Sequence, residues 1–411
     1  MCILVLSDVF SPCPNSASQR VTSFAEAFSS RGLEVNVVTA KRCFEKKRES
    51  ALGKEVLIYN LKYPRLLLSF SSVVTNPIFV LLYFLMSTLI ILRNGADAVL
   101  ASVPNGEVVI AGFLLSRLFQ IPVIIDIRDL YPPHPHLISR LPAPIPRRLN
   151  QYLLYLFSLL YKKVDKITCA DVSIKKQLLS LGVSRNKVLV IPNGADASIY
   201  KPCKNAEERE TIRSQYGLSM EDLIFVYAGS LVRYYPIDVV IKGLKRITPN
   251  KRENIKLLII GYTDYSRYVN LARSLRLENK VRFVGPLPIS ETARLLSACD
   301  VGIVAYRGES VWGGTYGAKI FSYMSCGLPI LASGPQGSVI KNMISKYRLG
   351  VYVGEPSDRN FAEGFTYFVN REDEKILMGQ NGRGLVEKSY DRRVIALKVA
   401  DEILRIMNMR K

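Results

Sequence analysis

The sequence predicts an α/β protein made of two successive doubly wound domains. Short apolar runs of four to seven residues alternate with helix-patterned segments along the whole chain. The alternation stops once, at Ile191-Pro-Asn-Gly-Ala-Asp196 and the charged stretch to Arg213, and then restarts. A length of 411 residues with 48% hydrophobic content suits two cores of about 200 residues each.

In the first half, strands are expected at residues 2–7, 33–39, 55–60, 97–102, 122–126, 166–170 and 187–191. The opening run meets Asp8 with no basic stretch before it, so it reads as a buried strand and not an export signal. Between the first two strands, Val21, Phe24, Ala25 and Phe28 form one helical stripe, and Gly32 stops it. The runs at 123–125 and 188–191 are apolar throughout, as strands covered on both faces should be.

Leu66 to Leu92 is a 27-residue stretch without charge. Asn76-Pro77 interrupts it, and the fully apolar part, Ile78 to Leu92, gives a helix of about 22 Å, short of a bilayer core of about 30 Å. The favoured expectation is a helix partly in the core and partly dipped into a lipid face; a wholly buried helix and a true span remain open. A second apolar run, Tyr152 to Tyr161, is bracketed by Arg147, Arg148, Lys162 and Lys163, which suits either an anionic leaflet or a buried helix with solvated ends.

In the second half, strands fit 223–228, 255–260, 281–284, 300–305, 328–332 and 349–353. Helices fit 236–248, 264–276, 289–298, 315–325 and 336–345, and residues 374–411 read as helical with a break near Ser389-Tyr390-Asp391. The alternation implies parallel sheets, whose ligands bind outside the carboxyl ends of the strands.

Lys and Arg number 56 against 35 Asp and Glu, a net charge of +21 spread over both halves. This excludes an acidic solvating protein and points to an anionic partner or a generally basic surface. No recognition module accompanies the charge, so nucleic acid is not an expected partner. Seven cysteines without a CxxC pair read as reduced thiols of a cytosolic protein, and two histidines argue against a His-based metal site. No GxGxxG follows a strand, no GxxxxGK[ST] occurs and no Gly-x-Ser-x-Gly elbow is present, which disfavours dehydrogenase, P-loop and serine-hydrolase chemistry.

What remains is a set of loops suited to a diphosphate. Gly229-Ser230-Leu-Val-Arg233 joins a strand to a helix: Gly229 allows close backbone approach and Arg233 offers a bidentate cation. Gly261 and Gly285 follow strands where backbone groups could hold a flat base. Gly313 to Leu331 is the strongest local pattern: a Gly-rich loop opens a helix carrying Thr315 and Lys319, with Ser322 one turn on along the same face. In the first half, Asp126-Ile-Arg128-Asp129 closes a buried strand and is read as catalytic or as a structural ion pair. Asp8, Asn15, Ser16 and Arg20 lie after the first strand, and His134 and His136 sit in a Pro-rich loop where one of them orients an acceptor or is merely exposed.

The order of these motifs resembles the family-4 retaining glycosyltransferases of GT-B architecture. The resemblance rests on Ile3-Leu-Val-Leu with its Pro-Asn-Ser loop, Arg31-Gly-Leu-Glu-Val-Asn-Val-Val-Thr39, Asp126-Ile-Arg-Asp-Leu-Tyr-Pro132 and Ile191-Pro-Asn-Gly-Ala-Asp196. Val226-Tyr-Ala-Gly-Ser230, Phe283-Val-Gly285 and Ala318-Lys-Ile-Phe-Ser-Tyr-Met324 with Gly327-Leu-Pro-Ile330 complete it. It implies two facing Rossmann-like domains, residues 1–192 for the acceptor and 205–385 for a nucleotide-sugar, a linker at 193–204, and a last helix, 386–411, returning to the first domain. The subgroup resembled builds surface glycans on lipid carriers at the cytoplasmic membrane face.

The implied reaction retains anomeric configuration and needs no metal or other cofactor, the nucleotide-sugar being a co-substrate. Asp126, Arg128, Asp129, His134 and Lys319 are the implied catalytic group. Gly229, Ser230, Arg233, Gly261, Gly285, Glu309, Thr315, Lys319 and Ser322 are the implied donor contacts, and Asn15, Ser16, Arg20 and His134 the implied acceptor contacts. The sequence departs from the family's E-x7-E motif: Gly314 and Ser322 stand at the two Glu positions, with Glu309 a substitute for the first. Ser230 and Tyr235 stand where the family has a phosphate-binding Arg and Lys, with Arg233 off register, and Asn15-Ser16 replaces a Gly-Gly. These losses raise the alternative of a GT-B-like scaffold subunit with weakened catalysis.

Overall fold

The structure is a computed structural model that describes residues 1–11, 16–40, 56–61, 77–103, 105–130, 144–232, 235–247, 254–261, 264–307, 316–369 and 371–409, without the side chains of 144–150. The chain forms two compact units, residues 1–192 with 393–411, and residues 193–392.

The first unit carries seven parallel strands: β1 (Cys2–Ser7), β2 (Glu34–Ala40), β3 (Val56–Leu61), β4 (Ala98–Val103), β5 (Val123–Ile127), β6 (Lys166–Cys169) and β7 (Val188–Val190). Their order is β3-β2-β1-β4-β5-β6-β7, so the winding direction reverses between β1 and β4. β1 and β4 are buried at every position, which is why they read as unbroken apolar runs. Helices α2 (Pro77–Asn94), α3 (Gly106–Phe119), α4 (Pro144–Lys163) and α5 (Val172–Ser180) cover one face through Tyr83, Leu115, Phe157 and Leu178. Helix α1 (Ser16–Ser30) covers the other through Val21, Phe24, Ala25 and Phe28, the stripe expected from the sequence.

The second unit holds six parallel strands: β8 (Leu223–Gly229), β9 (Ile255–Gly261), β10 (Val281–Val284), β11 (Val301–Ala305), β12 (Ile330–Ser333) and β13 (Gly350–Tyr352). The order β10-β9-β8-β11-β12-β13 reverses between β8 and β11. Helices α6 (Ala206–Gln215), α9 (Ile289–Ser297), α10 (Ala318–Ser325) and α11 (Val339–Tyr347) pack on one face, and α7 (Ile237–Arg246), α8 (Ser266–Ser274) and α12 (Asp358–Tyr367) on the other. Helix α13 (Glu372–Leu385) runs into a π-helical turn, Val386–Tyr390, and α14 (Arg392–Asn408) follows.

Two boundaries differ from the sequence reading. Residues 193–204 are not a free linker: Tyr200 is buried in the second core, Arg383 donates to the Tyr200 carbonyl at 2.9 Å, and Ala195 bridges Asp391. The charged stretch beyond them is α6, capped by Asn205, whose side chain accepts from the Glu208 amide at 2.9 Å. The return to the first unit begins at Arg393, not at residue 386. There Ile395, Ala396, Val399, Ala400, Ile403 and Met407 enter the α1 face of the core, and Arg31 pairs with Asp401 at 2.8 Å.

Ile403 is 1% exposed. Replacing it with Ala is expected to destabilise the first unit by about 2–5 kcal/mol, read as a lower urea midpoint, while the unfolding of the second unit stays in place.

Candidate active site: two sheet edges

In the second unit, Lys319 stands in the first turn of α10 at the β8/β11 reversal. Its ammonium donates to the Tyr227 hydroxyl at 2.9 Å and lies 4.1 Å from the centre of that ring. The Tyr235 ring centre is 3.7 Å away and that of Tyr306 is 6.0 Å away. No carboxylate pairs with it among the described residues. Burial among these rings pushes the ammonium well below the usual lysine range. Burial likewise holds the Tyr227 and Tyr306 phenols well above theirs, so both are neutral.

Glycine is required twice here. Gly229 ends β8 with φ +144°, and a Cβ there would stand 3.5 Å from the Lys319 Nζ. Gly317 caps α10 with φ +63°, and a Cβ there would fall 2.0 Å from the Tyr306 hydroxyl. Ser322 is half-buried one turn after Lys319, and Ser230 offers its carbonyl to the Tyr227 hydroxyl at 2.6 Å. A bare ammonium, a glycine strand end and the free amides of a helix start together make a seat for a multiply charged anion.

Gly285 is open, with nothing among the described residues within 4 Å of a Cβ placed there. Gly261 is a correction: a Cβ there would meet the Leu231 side chain at 2.8 Å, so this glycine admits a leucine and not a base. Beside it, Tyr265 stacks on Phe283 with ring centres 5.5 Å apart. Arg233, Glu309 and Thr315 lie outside the described residues, as do Asn15, His134 and His136.

In the first unit the structure corrects two expectations. Asp126 and Arg20 are 0% and 1% exposed and hold each other in an ion pair at 2.7 Å, so neither presents a polar group to a substrate. The carboxylate also accepts from Thr168 at 2.7 Å and Ser102 at 3.2 Å. Arg20 donates in turn to the Ile191 carbonyl at 2.8 Å and the Pro192 carbonyl at 3.1 Å. Burial raises the Asp126 pKa, but the Arg20 charge and these hydrogen bonds outweigh it and hold the carboxyl below the usual range. Ser16 is exposed at the start of α1 and Asp129 is exposed after β5. Arg128 donates from Nε to the Val103 carbonyl at 2.7 Å, and its Nη2 is buried with no partner among the described residues. Burial lowers the Arg128 pKa, against the opposing pull of Asp126 and Asp129.

Lys319, Gly229 and Arg128 lie at the strand and helix ends expected from the sequence, whereas the meeting of Tyr227, Tyr235 and Tyr306 around Lys319 was not expected. The available signal was a tyrosine at or near the carboxyl end of each of the two strands that flank the reversal.

Two family models match the chain: "Glycosyltransferase Family 4" over residues 17–199 and "Glycosyl transferases group 1" over residues 208–385. The chain belongs to the family-4 glycosyltransferases. A D-inositol 3-phosphate glycosyltransferase of Corynebacterium aurimucosum is 25% identical over 205 residues, 48% of this chain and 46% of that one. The chain spans about half the length of the curated relatives it matches. Its fold is that of GT-B structures. Sucrose-phosphate synthase from Thermosynechococcus elongatus superposes with a TM-score of 0.78 at 17% identity, over 99% of both chains. Anabaena HepE, solved with UDP-glucose, gives 0.72 at 17% identity, over 98% of this chain and 99% of that one.

The buried pair in this family-4 chain makes a sign-definite prediction. The folded Asp126 pKa lies below its unfolded value of about 3.9, so its stabilisation is full above that pH and is lost as pH falls through the folded value. Arg20→Met leaves the carboxylate unpaired and is expected to cost about 3–5 kcal/mol at pH 7 in urea unfolding. Adding Asp126→Asn should recover part of that loss.

Proposed function

We propose that the protein is a retaining, metal-independent glycosyltransferase. It takes a sugar from a nucleotide-sugar and passes it to a lipid-linked or growing surface-glycan acceptor at the cytoplasmic face of a membrane. The observation that carries this reading is the unneutralised Lys319 ammonium beside Gly229 and the start of α10. The negative charge that builds up on a departing diphosphate would be met there by the ammonium and the α10 amides, groups that gain most when charge develops in a water-poor site. HepE was solved with UDP-glucose and the curated relatives are glycosyltransferases, which supports a nucleotide-sugar donor and makes UDP the first nucleotide to test.

The membrane part of the reading rests on the first unit. Helix α2 is long and apolar enough to cross a membrane by length and composition. One side of it packs on the sheet through Tyr83, Ile90 and Ile91. The other exposes Leu81, Leu85, Leu89 and Leu92, the last at 71%. Leu114 and Leu118 of α3 and Tyr152, Tyr155 and Leu159 of α4 are exposed on helices that cover the same sheet face. Arg93, Arg117, Lys162 and Lys163 are exposed at the ends of these helices. Apolar residues edged by cations suit an anionic bilayer. The alternative, a scaffold subunit with weakened catalysis, is favoured by Gly314 and Ser322 at the two expected Glu positions.

Calorimetry with a panel of nucleoside diphosphates tests the donor reading. At least one should bind in the micromolar to millimolar range, and Lys319→Ala should weaken it at least about tenfold, or about 1.4 kcal/mol. Affinity should fall as pH rises above the lowered Lys319 pKa, with proton uptake on binding in that same range and none well below it. Absence of binding across the panel would favour the scaffold. For the membrane, sedimentation with phosphatidylglycerol-containing vesicles should show binding that the triple variant Leu85→Ser, Leu89→Ser, Leu92→Ser reduces at least about tenfold. Equal binding by the folded variant would remove this face from the reading.

A further inference from the structure

Lys319 would ordinarily be kept charged and aimed by a carboxylate, yet its surroundings are aromatic. The three rings come from separate segments: Tyr227 from β8, Tyr235 from the turn before α7, and Tyr306 just after β11. Tyr235 is central, with ring centres 5.8 Å from Tyr227 and 5.6 Å from Tyr306. Its ring is also the one nearest the ammonium.

The Tyr227 hydroxyl has a single proton, which it donates to the Ser230 carbonyl at 2.6 Å. Its lone pairs are therefore turned toward Lys319, and one of them accepts from Nζ at 2.9 Å. That one hydroxyl fixes both the turn after β8 and the ammonium. A carboxylate in the same place would cancel the charge that a diphosphate needs. A ring face attracts the cation without cancelling it.

We propose that Tyr227 and Tyr235 are positioning residues that hold Lys319 charged and aimed for the donor diphosphate, in place of the cationic pair that the family resemblance puts at Ser230 and Tyr235. The inference rests on the donor reading above and names the groups that make its one lysine serviceable. Tyr235 supplies a ring face and Tyr227 an acceptor oxygen. The two contributions therefore separate by substitution.

The test has two readouts. In calorimetry with UDP, or with whichever nucleoside diphosphate binds the unaltered protein, Tyr235→Leu should weaken affinity about tenfold, while the conservative Tyr235→Phe recovers most of it. Tyr227→Phe, which keeps the ring and removes the oxygen, should weaken affinity about five- to tenfold. In nuclear magnetic resonance of the full chain with labelled lysine, Lys319 should show ring-shifted Cε protons and a titration that moves to lower pH in Tyr235→Leu and Tyr227→Phe. A merely structural tyrosine would weaken Phe and Leu variants alike and leave the titration where it was. Equal affinity of Tyr235→Leu and Tyr235→Phe, or an unmoved titration, overturns the proposal. If the unaltered protein binds no nucleoside diphosphate, the donor reading fails, and the lysine titration still decides whether the rings set its charge.

Discussion

One guanidinium and one carboxylate, both out of reach of water, organise the first unit. Arg20 comes from α1 and Asp126 from β5, and the carboxylate gathers Ser102 from β4 and Thr168 from β6. The guanidinium also donates to the carbonyls of Ile191 and Pro192, at the last residues before the chain enters the second unit. Burying two charges is costly, and removal of either would strand the other. Every hydrogen bond in the cluster therefore constrains where α1, three strands and the exit of the chain sit relative to one another. The Arg-Asp pair is a framework element, and Arg128 and Asp129 follow it in the chain just beyond the end of β5.

The second unit handles charge in the opposite way. Its lysine has no counter-charge among the described residues, and three phenol rings crowd the ammonium. The low polarity that depresses the lysine's basicity also strengthens any attraction it makes, since fewer water dipoles screen it. An anion arriving there would favour the protonated form further and be held by it.

Most of the fold was legible because both sheets are parallel and covered on two faces, so their strands appear as short unbroken apolar runs with helices between them. Elements were lost where the apolar stripe was thin. Helix α6 buries only Ile212 and Arg213, so its charged sequence read as linker although Asn205 caps it. Helix α12 rests on Phe361, Gly364 and Phe365, too few to stand out. Within the site, Lys319 and Gly229 were visible because each sits in a local glycine-rich pattern. The tyrosines were not, because residues 227, 235 and 306 meet only once the sheet has formed, and no spacing along the chain encodes that meeting. Asp126 and Arg20 misled for a related reason: a charged residue at a strand end or in the first turns of the next helix looks the same in sequence whether it faces a ligand or a buried partner.

Helix α14 completes the hydrophobic interior of the first unit but is encoded after the whole of the second. At ribosomal speeds of about 5–20 residues per second, the nascent first unit must wait about 10–40 s for that piece. During that interval Val21, Phe24 and Phe28 lack their last cover. Domain-by-domain maturation, the usual route for a chain of this size, is thus closed to this one, and the half synthesised first is the half finished last.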